Sequence, residues 1–440
     1  MPKTEHTNQR TFYNLLANTL VASLTNFTVW FAITFFVFLQ TRSVFATAVI
    51  AGIYLVITAI SGIWFGSLVD HNKKKKIMLV SSLTSFVVYC ASLVVYLIVG
   101  PDAFKDPTSI VLWTFVPLLM VGVMVGNIRT IALSTTITIL VPEDRRDRAN
   151  GLVGTTWGIA FLLTSVISGI LVGQAGLLYV LWMAIGLTGL AIAHLWTLTI
   201  PEKGIAHVEG EAAPKKIDLK GTFAVVKAVP GLLALILFAT FNNFLGGVYM
   251  SLMDAYGLSL VSVETWGFLW GVLSVGFIVG GIIISKKGLG KNPLRSLFIA
   301  NIIIWAISSV FTIQSSIFLL GIGMFVYLSI MPFIEASEQT IMQKVVPHER
   351  QGRIFGFAQS VEQAASPLTA FIIGPIVQFI FIPYMTDGAG ADLIGSWFGT
   401  GPARGIALAF TITGLIGLAM TLLAMRSKYY RQLSERYLQS

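Results

Sequence analysis

The sequence predicts an all-α membrane protein of twelve transmembrane helices, arranged as two six-helix bundles repeated in parallel. Of the 440 residues, 55% are hydrophobic and 11% are charged, and the mean hydropathy is +0.81. This composition is typical of a chain whose solvent is mostly lipid. Long stretches such as 11–41 and 149–201 contain no Asp, Glu, Lys or Arg, and about 20 apolar residues suffice to cross a bilayer. The two halves of the chain also share a loop motif, which indicates the repeat.

Turn signals divide the apolar stretches into single spans. Breaks such as Gly173 to Gly176 and Gln314 to Ser316 are typical of short hairpins between helices. The predicted spans are 12–40, 44–69, 77–100, 109–140, 149–173, 177–200, 231–257, 261–285, 294–314, 317–343, 353–383 and 402–425.

The basic residues concentrate in every second loop, on the same side as both termini. The opposite side holds only Arg42, Lys105 and Arg404 of the 29 Lys and Arg, and Arg129 lies within a span. Because cytoplasmic loops carry the excess of Lys and Arg, we expect a multi-pass protein of the plasma or inner membrane with both termini in the cytoplasm. The formal charge of +9 is spread over these loops, which argues against a nucleic-acid partner.

A repeated motif relates the two halves of the chain. VPEDRRDRANG at 141–151 and VPHERQGRIFG at 346–356 match at five of eleven positions, each between the fourth and fifth spans of its half. Such repeats place a binding cavity at their interface near the bilayer midplane. The predicted domains are 1–200 and 231–425, joined by a cytoplasmic linker, 201–230, and followed by a cytoplasmic tail, 426–440.

The loop between spans 2 and 3, GSLVDHNKKKKIML at 66–79, resembles a signature of the major facilitator superfamily. Gly66, Leu68 and Asp70 match that pattern, and four lysines from Lys73 follow. Within the superfamily, the VPEDRRDRANG loop and GSWFGTGPARGIAL at 395–408 are most similar to the bacterial drug–proton antiporter branch that includes macrolide-efflux proteins. The resemblance implies proton-coupled efflux of hydrophobic or amphipathic compounds by alternating access.

The same loops predict a cytoplasmic gate. A glycine permits close approach of two helices, and a carboxylate can latch a basic loop or a helix N-terminus. The alternative is a plain membrane anchor in which Asp70 only offsets the lysines. The gate candidates are Gly66, Asp70, Lys73, Arg145, Arg148, Arg350 and Arg353.

Two opposite charges lie deep within predicted spans. Arg129 precedes Pro142 by 13 residues and Glu335 precedes Pro347 by 12, so the two occupy pseudo-equivalent depths in opposite halves. A charge at such depth faces the bundle interior and needs a partner. In the superfamily that the chain resembles, helices 1, 4, 7 and 10 line a central cavity, so the resemblance implies that Arg129 and Glu335 can face one another. We expect these two residues to pair across the cavity, and a proton or a cationic substrate at Glu335 to release the pair. The alternative is a static packing pair.

A second set of acids lies on spans 10 and 11. Glu338 precedes Pro347 by nine residues, and Glu362 lies nine residues into span 11, which predicts equal depth on neighbouring helices. Two acids close together in a low dielectric do not both ionise easily, so this pair could carry a proton. Equally, either acid could belong to a gate network with Arg350 and Arg353.

Polar and aromatic residues within spans 1 and 7 are candidates for the substrate cavity: Asn26, Trp30, Asn242 and Asn243. Because lipid does not tolerate unpaired polar groups, each Asn could instead hydrogen-bond between helices.

Known motifs of enzymes and ATP-driven pumps are missing from the sequence. It contains no phosphate-binding loop, no metalloprotease motif and no nucleophile elbow, and Cys90 is its one cysteine. We therefore expect a monomeric secondary transporter, without cofactor or metal, that acts on a small molecule and protons. The rival interpretations are an exporter of one physiological metabolite or lipid precursor, and a non-transporting membrane sensor.

Overall fold

The computed structural model describes residues 3–41, 44–106, 108–171, 176–202 and 219–439. All the regular secondary structure in these ranges is helical, which confirms the predicted all-α class. The helices before the central linker are α1 (Lys3–Thr41), α2 (Val44–Asp70), α3 (Lys74–Val99), α4 (Ile110–Val125), α5 (Asn127–Leu140), α6 (Arg146–Ile170) and α7 (Gly176–Thr197). Those after it are α8 (Leu219–Ala228), α9 (Leu232–Leu258), α10 (Val263–Lys287), α11 (Pro293–Val310), α12 (Ile317–Val345), α13 (Gln351–Ile376), α14 (Ile382–Thr386), α15 (Ala389–Phe398), α16 (Pro402–Arg426) and α17 (Lys428–Gln439).

Every predicted span falls on a helix. Ten helical segments in the described ranges are long and apolar enough to cross a bilayer, and 56–70 within α2 forms a shorter apolar helix. Helix α6 covers 149–170 of the predicted span 149–173, whose last two residues lie outside the described ranges, and it is not among the ten. Residues 203–218 of the predicted linker lie outside the described residues, and the linker's end is helical in α8.

Two predicted spans contain breaks that the hydropathy does not show. Span 109–140 consists of α4 and α5, which meet at Gly126. A Cβ at Gly126 would collide with the amide nitrogen of Asn26, so any larger residue here would force the Asn26 side chain of α1 to move. Span 353–383 widens to a π-helical turn at Val377–Phe381, between Pro375 and Pro383. Prolines lack the N–H that a regular helix requires.

The chain forms two compact units. The first comprises Met1–Ala149, Thr156–Phe223 and Val346–Ser360, and the second comprises Asn150–Thr155, Ala224–Val345 and Val361–Ser440. The first turns of α13, up to Ser360, thus belong to the first unit, and Asn150–Thr155 of α6 belongs to the second. The boundaries at 200 and 231 that the sequence suggests stay a prediction.

Each unit has its own apolar core. In the first, α1, α3, α4 and α7 surround an aromatic cluster in which Phe36, Phe104 and Phe115 touch with centroids 4.9–6.5 Å apart. In the second, Tyr249 of α9 stacks on Phe410 of α16 at 4.8 Å. In lipid, such contacts stabilise through van der Waals packing between the helices, so these cores hold the helices that carry the polar groups described next.

Candidate functional site

Three carboxylic acids lie close together in the second unit. Glu335 and Glu338 are one turn apart on α12, and Glu362 is on α13. The carboxyl groups of Glu338 and Glu362 lie within hydrogen-bonding reach of each other. The structure therefore brings together the two acids for which the sequence predicts equal depth.

The Glu338–Glu362 contact sets a condition on protonation. An ionised carboxylate only accepts hydrogen bonds, so two carboxyl groups can bond directly only when one of them carries a proton. Glu338 is 9% exposed, and the Oε1 atoms of both residues are buried without a hydrogen-bond partner. The geometry suits a pair that holds one proton between two buried oxygens.

Glu335 has a different environment from this pair. Its side chain has accessible surface, although many protein atoms surround its carboxyl group and Glu338 lies near enough to repel it. An exposed carboxylate beside a buried pair can meet a cation that the pair itself cannot reach.

Arg129 is buried in α5 of the first unit, with 7% of its surface exposed. Its guanidinium donates to the Oγ of Ser82 on α3 at 2.7 Å and to the Oδ1 of Asn18 on α1. The amide of Asn18 in turn donates to the carbonyl of Ala191 on α7 at 2.8 Å. The pair between Arg129 and Glu335 would join the two units and stays a prediction.

The substrate-cavity candidates occupy different settings. Trp30 packs on Tyr54 with ring centroids 4.1 Å apart, and Asn26 accepts a long, 3.5 Å hydrogen bond from the hydroxyl of Tyr89.

The two asparagines of α9 are used in hydrogen bonds within the second unit. Asn242 accepts from the indole of Trp305 at 2.7 Å and so joins α9 to α11, while Asn243 donates to the carbonyl of Ala239 in its own helix. A substrate role for these residues stays a prediction.

Asp70 ends α2 and caps the first turn of α13. Its Oδ1 accepts from the backbone N–H of Gly352 at 2.7 Å, and its Oδ2 accepts from the N–H and the Nε of Arg353 at 2.9 and 3.3 Å. The N–H groups of a first turn have no partners inside their helix and attract negative charge. We refer to Asp70, Gly352 and Arg353 as the α2–α13 latch.

Glycines make the latch sterically feasible. A Cβ at Gly66 would collide with the carbonyl oxygen of Gly352, and one at Gly62 would lie 2.9 Å from the carbonyl oxygen of Gly356. The α2 and α13 backbones therefore lie too close together for a side chain at either glycine.

The other basic gate candidates lie outside this latch. Lys73, Arg145 and Arg148 are exposed, and Arg145 makes a 3.8 Å contact with the exposed Asp144. Arg350 is half-buried in the short 3₁₀ turn before α13. A gating role for these four residues stays a prediction.

Glu202 is a structural anion that the sequence pattern does not single out. Its carboxylate accepts from the backbone N–H groups of Lys74 and Lys75 at 2.5 and 2.9 Å and so caps α3. The Nζ of Lys74 donates to the carbonyl of Val69 at 2.7 Å, at the end of α2. The sequence shows only an acidic residue just after a span, on the side where the basic loops lie, and many loops have such a residue.

The structural role of Arg404 is also not apparent from the sequence, in which it falls among the few basic residues of the outer side. It is 3% exposed in the first turn of α16, donates to the carbonyls of Thr312 and Ile313 at 2.9 Å, and lies over the ring of Phe398. It satisfies carbonyls just beyond the C-terminus of α11, where a cation is favoured.

Comparisons with known proteins agree with this architecture. A family model described as Major Facilitator Superfamily matches residues 15–370. Macrolide efflux protein A of Streptococcus pyogenes is 23% identical over 407 residues, which cover 88% of this chain and 91% of that protein. The protein of the same name from Enterococcus faecalis is 24% identical over 328 residues, which cover 70% of this chain and 94% of that protein.

Solved structures show the same fold at low sequence identity. A bacterial homologue of the iron transporter ferroportin, in an outward-facing state, has a TM-score of 0.71 at 15% identity and covers 97% of this chain and 99% of its own. The human organic anion transporter MFSD10 has a TM-score of 0.70 at 12% identity, and the match covers 96% of this chain and 100% of that one. The proton:xylose symporter XylE has a TM-score of 0.69 at 13% identity, and the match covers 98% of this chain and 99% of that one.

The fold and the buried polar groups define a multi-pass membrane transporter of small molecules. The chain belongs to the Major Facilitator Superfamily.

Proposed function

We propose that this transporter exports hydrophobic or amphipathic small molecules, macrolide-like compounds among them, in exchange for protons. The observation that carries the proposal is the buried Glu338–Glu362 pair in the second unit. A pair that holds one proton in an apolar bundle can release that proton when a cation approaches or when water reaches it. The efflux direction and the compound class rest on the similarity to the Macrolide efflux protein A sequences.

Glu335 is the proposed meeting point of proton and substrate. It is exposed one turn from the pair, so a cationic amphiphile bound there would add positive charge beside Glu338. Because that charge favours the ionised form of the pair, cation binding and proton release would be coupled. The partner of Glu335 in the other state of the cycle would be Arg129.

Alternating access would use the α2–α13 latch as one gate. The latch combines backbone contact at glycines with a charged cap, and such a contact has two discrete states, formed and broken. In this proposal the basic loops and both termini face the cytoplasm, since 25 of the 29 Lys and Arg fall on that side.

The proposal is tested in inside-out membrane vesicles energised by respiration. A panel of cationic dyes, macrolides and tetracyclines is added while the proton content of the vesicle lumen is followed. Wild type should release lumenal protons when a substrate is added, and Glu338→Gln should not. Glu435→Gln removes an exposed carboxylate of α17 and should behave as wild type. Equal proton release from Glu338→Gln and wild type would overturn the assignment.

A further inference from the structure

A buried positive charge in the first unit has no negative partner there. The guanidinium of Arg129 donates to two neutral groups, the hydroxyl of Ser82 and the amide oxygen of Asn18, and its Nε is buried without a partner. In the described part of this unit, no carboxylate lies within ion-pair distance of Arg129. Buried charges in proteins are paired or bind an ion, so Arg129 requires a counter-charge.

A small polar cavity opens beside this guanidinium. It has a volume of about 20 Å³, which is enough for one water-sized particle. Apart from two alanines and a glycine, its wall consists of Arg129 with hydroxyl and amide side chains, among them Asn26, Ser81, Ser82 and Ser85. A wall of this kind is electrically positive or neutral on every side.

The hydrogen bonds of the wall determine which groups point donors into the cavity. Ser81 and Ser85 donate their hydroxyl protons to the carbonyls of Val125 and Gly122, at 2.8 and 2.6 Å. The side-chain oxygen of Asn26 accepts a hydrogen bond from Tyr89. The Nδ2 of Asn26 lies next to Gly126, which also lines the cavity.

Two kinds of N–H donor, from Asn26 and Arg129, therefore remain for an occupant of the cavity. An occupant that accepts hydrogen bonds and carries negative charge suits them.

We propose that this cavity binds one small monovalent anion, chloride in the cell, as the counter-ion of Arg129. The volume has room for one particle of about the size of a water molecule, which suits a monatomic halide. The bound anion would join α1, α3 and α5, because Asn26, Ser82 and Arg129 lie on these helices. Since only the folded unit offers the site, anion binding stabilises the fold by mass action.

The test measures the thermal unfolding of the full-length protein in detergent at constant ionic strength, with sodium gluconate replaced stepwise by sodium chloride. Wild type should show a saturable rise of a few degrees in its unfolding midpoint up to about 150 mM chloride, and bromide should reproduce the rise. Arg129→Gln should lose this response. Arg431→Gln, which removes an exposed charge of α17, should keep it.

A second variant keeps the proposal falsifiable if Arg129→Gln does not fold. Asn26→Asp places a carboxylate in the cavity wall and should replace the anion. This variant should unfold at a higher temperature than wild type in gluconate and show no response to chloride. A wild-type midpoint that is equal in chloride and gluconate would mean that the cavity holds water only, and it would overturn the proposal. So would a chloride response in Arg129→Gln or Asn26→Asp as large as that of wild type. Because no transport is measured, failure here is separate from failure of the proton-coupling proposal.

Discussion

The α2–α13 latch yields the sharpest quantitative prediction, through the substitution Asp70→Asn. The Oδ2 of Asp70 accepts two hydrogen bonds from Arg353, at 2.9 and 3.3 Å, and its carboxylate is 3% exposed. An asparagine that keeps its oxygen toward Gly352 turns an NH₂ group toward both Arg353 donors. Two hydrogen bonds to a charged group are lost, at roughly 1.5 kcal/mol each because Arg353 is partly exposed. The attraction of the charge to the α13 N-terminus adds up to about 1 kcal/mol.

The formed latch should therefore weaken by about 3–4 kcal/mol, which raises the population of the broken state by about 100- to 1,000-fold at 1.4 kcal/mol per tenfold. Ser360 of α13 can report this population. Its side chain lies against Gly62 of α2 and is only 5% exposed, so a reagent reaches it when the two helices separate, and its Oγ makes no hydrogen bond that a substitution would break. In a Cys90→Ser background, Ser360→Cys should react with a membrane-permeant maleimide at least 100-fold faster, as roughly expected from this shift, when Asp70→Asn is added.

Asp144→Asn is the matched control for this experiment, because Asp144 is exposed and its ion pair with Arg145 is long, at 3.8 Å. It should leave the labelling rate of Ser360→Cys unchanged. A rate in the Asp70→Asn variant that also matches the parent would refute the account of the latch.

Three further predictions concern stability and packing. Glu202→Gln should lower the thermal unfolding midpoint by an amount that corresponds to about 1–2 kcal/mol, because the α3 N-terminus loses its charged cap; an unchanged midpoint would contradict this role. Arg404→Gln should cost about 3 kcal/mol or more in the same assay, since buried carbonyls of Thr312 and Ile313 lose their donors, and a loss below about 1 kcal/mol would show that water replaces them. Gly66→Ala should lower the transport rate at unchanged expression, because its Cβ collides with the backbone of α13; wild-type rates would mean that α2 and α13 need not approach so closely.

The sequence predicted the helices well because lipid imposes one rule, a long uncharged segment for each crossing. The expectation that Glu338 and Glu362 lie at equal depth also follows from the sequence, since Glu338 lies nine residues before Pro347 and Glu362 lies nine residues into the next predicted span. The contact at Gly126 does not, because the atom nearest to this glycine belongs to Asn26 on another helix.

The partners of the charged residues were harder to predict. Asn18 and Ser82 are common polar residues on different helices, and nothing in their spacing indicates that they meet Arg129. Asp70 looks like a partner for the neighbouring lysines, whereas it bonds to backbone N–H groups some 280 positions away. Backbone partners have no sequence signature.

The central claim is that the Glu338–Glu362 pair carries the transported proton, and substrate exchange in proteoliposomes tests it most directly. The double variant Glu338→Gln/Glu362→Gln keeps hydrogen-bonding groups at both positions but holds no titratable proton. It should still exchange labelled substrate for unlabelled substrate across the membrane, while an imposed pH gradient should no longer drive substrate accumulation. Accumulation driven by the pH gradient at the wild-type level in this variant would contradict the account.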